Sequence, residues 1–229
     1  MPSFFTINLN ASRNLVRALP KDKGLAEARC SVKFFLLPQD PMGGIADSMI
    51  PDHMVSDGMV NRYLEISPPL ASVIPEFQLV IDEIERSYVL GMMFSAVSAS
   101  CVAIERVLNL ARIQLYKHHA TVKQLWNKGP LNDWNENIDA LAKWGYLEEV
   151  FSDELKRIYK DIRCQYLHSG SVADVATHAL KSVNAAYELL TIFLGFPADL
   201  FRFTSGIECL NESDPRFIEF YLPQLRVEP

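Results

Sequence analysis

Ser152-Asp153-Glu154-Leu155-Lys156-Arg157-Ile158-Tyr159-Lys160-Asp161-Ile162-Arg163-Cys164-Gln165-Tyr166-Leu167-His168-Ser169-Gly170 reads as one helix and its stop. Ser152 is a good N-cap residue, and Asp153 and Glu154 place negative charge in the first turn, where it suits the helix dipole. Leu155, Ile158, Tyr159, Ile162 and Tyr166 recur at helical spacing and make one inward stripe. Gly170 is the residue expected just past a helix end, because it tolerates left-handed backbone angles. Ser171 and Asp174 then stand at capping-box spacing for a further helix, with Asp in place of the usual Glu or Gln. Val172, Val175, Ala176, Ala179, Leu180, Val183, Ala186, Tyr187, Leu190 and Phe193 form its apolar face, and Gly195-Phe196-Pro197 ends it. The stretch therefore predicts two helices about a sharp junction that carries Arg163 and His168.

The pattern upstream agrees with a helical body. From about Glu76 to His118, Ile81, Ile84, Tyr88, Met92, Val97, Cys101, Ile104, Leu108 and Leu115 predict one bent helix or two. Ala96, Ala99 and Ala103 add a smooth strip suited to a close neighbour. Ser87 to Ile104 holds no charged residue, but its serines and the charges on both sides favour a buried core helix over a membrane span. Thr121 to Trp126 reads as a short helical piece, and Gly129-Pro130 as a break. Asn132 to Trp144 predicts another helix, with Trp134, Ile138 and Leu141 inward and Gly145 at its end.

Residues 1–75 differ. They hold eight prolines, and Phe4–Leu9, Val32–Leu37 and Tyr63–Ile66 have the composition of short strands. Ser12 to Leu19 suits one or two helical turns, and Gln39 to Gly44 reads as a turn. The expected class is mainly α: a helical bundle at 76–196, an irregular extension with a few short strands at 1–75, and a short tail at 197–229 docked by its apolar residues.

Composition narrows the function. A net charge of -6 excludes a protein that coats nucleic acid with a uniformly basic surface. The four cysteines show no CxxC spacing, which argues against a zinc site or a disulfide scaffold and for reduced thiols in the cytoplasm. No basic segment followed by an apolar run opens the chain, so no signal peptide is expected. Glycine-rich phosphate loops and nucleophile elbows are lacking, and the isolated Gly43-Gly44 precedes no clear helix. His118 and His119 are helix neighbours about 100° apart, poorly placed for one metal. No cofactor and no metal are expected.

Arg163-x4-His168 near a helix end, followed by Ser169-Gly170 and a long helix, resembles the HEPN domain family. The resemblance includes an earlier long helix with a glutamate among small and apolar residues, here Glu105 within Ala99–Leu110, and it covers about residues 80–195. It implies an all-α bundle that dimerises. It further implies a metal-independent endoribonuclease of toxin–antitoxin or phage-defence type, with Arg163 and His168 of two protomers meeting at a composite site. Cys164 stands where many active members carry Asn or Asp. On this reading Arg163 and His168 are catalytic, while Glu105, Cys164 and Tyr166 support them. The partners are RNA, a second copy and an antitoxin or other protein.

The chemistry suits these residue types. Metal-free RNA cleavage needs a base near neutral pH for the ribose 2′-hydroxyl, and a cation for the charge growing on the phosphate. Lys156, Lys160 and Arg163, spaced four and three apart, would share one face and guide an RNA backbone. Residues five apart on a straight helix point about 140° apart. Arg163 and His168 therefore converge only if the helix ends between them or a partner chain supplies one of them. The alternatives are a non-catalytic HEPN-like module that binds RNA, a nucleotide or a protein, and an unrelated helical interaction protein.

Overall fold

The computed structural model describes residues 16–36, 51–67, 75–116, 133–167, 174–194, 201–203 and 207–209. Eight α-helices dominate among the described residues. They are α1 (Lys21–Leu36), α2 (Asp57–Glu65), α3 (Pro75–Val89), α4 (Met93–Tyr116), α5 (Trp134–Lys143), α6 (Glu149–Arg157), α7 (Cys164–Leu167) and α8 (Val175–Leu194). A π turn, Ile158–Arg163, joins α6 to α7 without a break. The protein is mainly α, as its periodicity predicts.

The centre is α4, which packs most extensively on α8, then on α3 and α5. Its Ala96, Ala103, Ile104, Val107, Leu108 and Ala111 have no exposed surface. The small residues let α8 approach closely with Ala179, Val183 and Ala186. Ala96 and Ala103 are thus spent inside the chain; Ala99 is half-buried, while Ser95, Ser98 and Val102 remain exposed. Met92, expected inward, is exposed.

The long apolar segment is two helices. Gly91 has φ +81°, and its N–H reaches back to the Tyr88 carbonyl while Met92 N–H reaches Ser87. Gly145 repeats this ending at the end of α5 with φ +84°, through Gly145 to Ala142 and Tyr146 to Leu141. Both are helix stops that need a left-handed residue, hence glycine. One helix among the described residues, Met93–Ile113, is long and apolar enough to cross a membrane, and 44% of it is buried inside the protein.

Several sequence expectations are corrected. Residues 32–36 end α1 and 63–65 end α2, so neither is a strand. Each apolar run is the inward side of a helix: Ala28 and Val32 are fully buried four residues apart, Val60 and Tyr63 three apart. Ser56 caps α2 by accepting from Met59 N–H. These buried residues join the same core as the helical body. Residues 16–18 are helical, as expected. The sheet found among the described residues lies instead in the tail, where Phe201–Phe203 pairs antiparallel with Ile207–Cys209.

Ser152 is not an N-cap. The helix begins at Glu149, and Ser152 is buried with its hydroxyl donating to the Glu148 carbonyl at 2.9 Å. Buried Leu147 and Phe151 draw the start of the helix upstream. Asp174 itself caps α8, at φ +60°, its carboxylate accepting from Thr177 N–H at 3.3 Å. Hydrogen bonds from the Thr177 side chain and then from its backbone N–H hold the Asp174 carboxyl below its ordinary range. Phe4–Leu9, Gln39–Gly44, His118-His119, Thr121–Trp126, Gly129-Pro130, His168–Ser171 and the end of the tail lie outside the described residues.

Candidate functional site

Glu105 lies halfway along α4, and Arg163 is the last residue of the π turn. Arg163 Nη2 donates to Glu105 Oε2 at 3.0 Å, joining positions 58 residues apart. The two side chains keep 25% and 29% of their surface in solvent, so this is a half-buried ion pair. Arg163 also meets two aromatic rings, Tyr159 at 5.3 Å and Trp134 at 5.7 Å from its guanidinium carbon. Those rings lie 5.6 Å from each other, so the cation sits at an aromatic corner rather than in a sandwich. Ring faces carry negative charge and attract it. The remaining N–H groups of Arg163 have no hydrogen-bond partner among the described residues.

The π turn shapes this corner. Cys164 N–H donates to the Tyr159 carbonyl, five residues back rather than four. Ile158 and Ile162 stay in the core, while Arg163 reaches α4. Isolated π turns recur at functional sites. Cys164 is half-exposed and lies within electrostatic reach of Cys101, as do Glu105 and Arg163. Burial pushes the Cys101 thiol up to about 12, against the pull of Arg163, so it stays protonated at neutral pH and is no nucleophile.

Tyr166 stacks on Phe94 of α4, with centroids 5.6 Å apart and planes at 29°. It meets His178 of α8 edge-on at 6.2 Å. Its hydroxyl is buried without a hydrogen-bond partner among the described residues, and burial raises its pKa. The lysine row is divided. Lys156 pairs with Asp139 of α5, which raises its pKa; Lys160 is exposed; Arg163 turns to Glu105. The three do not form one solvated stripe. His168 lies outside the described residues; the structure joins Arg163 to Glu105, sets Cys164 near them around Cys101, and places Tyr166 apart, on Phe94 and His178.

The sequence reading missed Phe94, Tyr159, Trp134 and His178 as neighbours of the site. It also missed a polar network beyond Glu105: Asn137 of α5 is buried, accepts from Arg112 at 2.7 Å and donates to Asn109. The signal was present. Phe94, Ser98, Cys101, Glu105, Asn109 and Arg112 are spaced 4-3-4-4-3 and so occupy one side of α4. A cleft of about 350 Å³ opens between the π turn and α8, lined by Arg157, Ile158, Asp161, Ile162, His178 and Lys181 among others.

No family profile, characterised protein or solved structure matches the chain.

Proposed function

We propose that this protein is a HEPN-type endoribonuclease that cleaves RNA by attack of a ribose 2′-hydroxyl, without a metal ion. The observation that supports this most is the state of Arg163. Its guanidinium is steered by one carboxylate and two rings, a quarter exposed, with N–H groups left for a phosphate. Arginine's planar fork fits phosphate oxygens, and His168 follows after one further helical turn. His168 takes the proton of the 2′-hydroxyl, whose oxygen then bonds to the adjacent phosphorus. The bond from phosphorus to the next nucleotide's 5′-oxygen breaks, and that oxygen leaves with a proton. Arg163 offsets the charge that grows on the phosphate. The products are a 2′,3′-cyclic phosphate and a 5′-hydroxyl.

In the proposed homodimer, His168 of a second copy supplies the leaving-group proton. The face of α4 open to that copy is the row Ser95, Val102, Arg106 and Ile113, all exposed. RNA is the partner on this reading, with an antitoxin or other protein as regulator.

One observation favours a second reading. Glu105 and Asp139 bind Arg163 and Lys156 within the chain, as a non-catalytic module with a structural polar knot would have them. Incubation of the protein with RNA in chelator separates the two. The enzyme reading expects 2′,3′-cyclic phosphate ends, lost in His168→Ala and Arg163→Ala variants that still fold. Intact RNA with wild type, together with a large drop in melting temperature for Arg163→Ala, supports the module.

A further inference from the structure

The side of α4 that carries Glu105 continues, toward the helix start, to Cys101, Ser98 and Phe94. Partners follow in reverse order along the other strand of contacts: Arg163 lies on Glu105, and Tyr166 on Phe94. Arg163 and Tyr166 are three residues apart, which makes them neighbours on a helical surface. A short track thus joins the phosphate-binding candidate to an aromatic pair.

Phe94 is unusual in that pair. It is 60% exposed, although it stacks on a half-buried tyrosine. Tyr166 also meets His178 edge-on and keeps its hydroxyl buried, and its ring covers one face of Phe94. The rest of the phenyl ring meets solvent. Its exposed neighbours are Met92, Ser98 and, on the side turned to the second copy, Ser95, so Phe94 stands in a narrow patch. A preset ring with an open side, in line with a cation that has free donors, suits a base still attached to its phosphate backbone.

We infer that Phe94 is a stacking platform for an unpaired nucleobase of the RNA strand whose phosphate Arg163 binds. The inference rests on the ribonuclease reading above and adds to it where the strand lies. Bases in a duplex have both faces covered by their neighbours, whereas loops and single strands offer faces to aromatic side chains. Phe94 stands eleven residues before Glu105, about 16 Å along the helix axis. The stacked base is therefore more than one nucleotide from the phosphate at Arg163, on the same strand.

The test uses the full chain, a short RNA with 2′-O-methyl riboses, which 2′-hydroxyl attack cannot cleave, carrying one 2-aminopurine, and the same RNA annealed to its complement. Wild type should bind the single strand more tightly than the duplex and quench the 2-aminopurine. Phe94→Ala and Phe94→Leu should each weaken single-strand binding by roughly 5- to 100-fold, the range that base stacking on one aromatic ring supplies. Phe94→Trp should keep the affinity and the quenching. Arg163→Ala should weaken binding of every RNA. Equal binding by wild type and Phe94→Leu, or equal affinity for duplex, overturns the inference while leaving the ribonuclease reading intact. A change from dimer to monomer in Phe94→Ala also overturns it, because Phe94 then belongs to a contact between copies. No RNA binding by wild type defeats both.

Discussion

Replacing Glu105 by Gln keeps the shape of the side chain and an acceptor for Arg163, but removes the charge. A fully exposed ion pair contributes about 0.2–1 kcal/mol, and breaking a fully buried one costs about 3–5 kcal/mol. Side chains 29% and 25% exposed, joined by a single 3.0 Å contact, place this pair near the lower end. Glu105→Gln should cost about 1 kcal/mol, a fall in melting temperature of about 2–4 °C for a chain of this size. Arg163→Ala should cost more, about 2–3 kcal/mol, because the contacts with Trp134 and Tyr159 go as well. The double variant should be less damaged than the sum of the two. Urea unfolding of the four proteins yields the coupling directly, and about 1 kcal/mol is expected. A coupling near zero refutes the claim that Glu105 steers Arg163. A coupling above about 3 kcal/mol refutes the half-exposed description and makes the pair a buried structural knot.

Other outcomes follow from the same geometry. Ala at Gly145 meets nothing within 4 Å and should cost only the left-handed backbone, about 1–2 kcal/mol; Ala at Gly91 should cost roughly 1 kcal/mol more, since its Cβ would lie 3.1 Å from Arg62 Nη2 and disturb the Arg62 cap on the Val89 carbonyl. Tyr88 donates to Glu65 at 2.7 Å, and burial followed by that carboxylate holds its pKa well above the ordinary 10.0. Because the folded value is the higher one, this stabilisation is complete below pH 10 and is lost as pH rises beyond it; melting of wild type should therefore fall more steeply above pH 10 than that of Tyr88→Phe. Lys160→Ala should weaken RNA binding equally for all sequences and reduce the slope of affinity against salt by about one, as loss of a single phosphate contact does.

The helical body was legible because burial imposes a 3.6-residue period. Ile81 and Ile84, Ile104 and Leu108, and Val183 with Ala186 and Leu190 are inward as their spacing requires. Gly145 was legible because a left-handed stop has one preferred residue. Short apolar runs were not. Val32–Leu36 has the composition of a strand, and only the burial of Ala28 one turn earlier shows which period applies. The π turn left no mark either, since a single widened turn keeps the same apolar pattern through Ile158 and Ile162. Glu105 was readable as a supporting residue for Arg163 from its type and its place on an earlier helix. Trp134 and Tyr159 were not, because an aromatic beside a cation looks in sequence like any core aromatic.

On the proposed mechanism the RNA's own 2′-hydroxyl is the nucleophile, and Arg163 and His168 serve it. The most direct measurement is cleavage, in excess chelator, of an oligonucleotide with one scissile position, compared with the same oligonucleotide carrying 2′-deoxyribose at that position alone. The expected result is cleavage of the first with a 2′,3′-cyclic phosphate end, none of the second, and none of either by His168→Ala. Cleavage of the deoxy substrate, or loss of all cleavage on adding chelator, would contradict it.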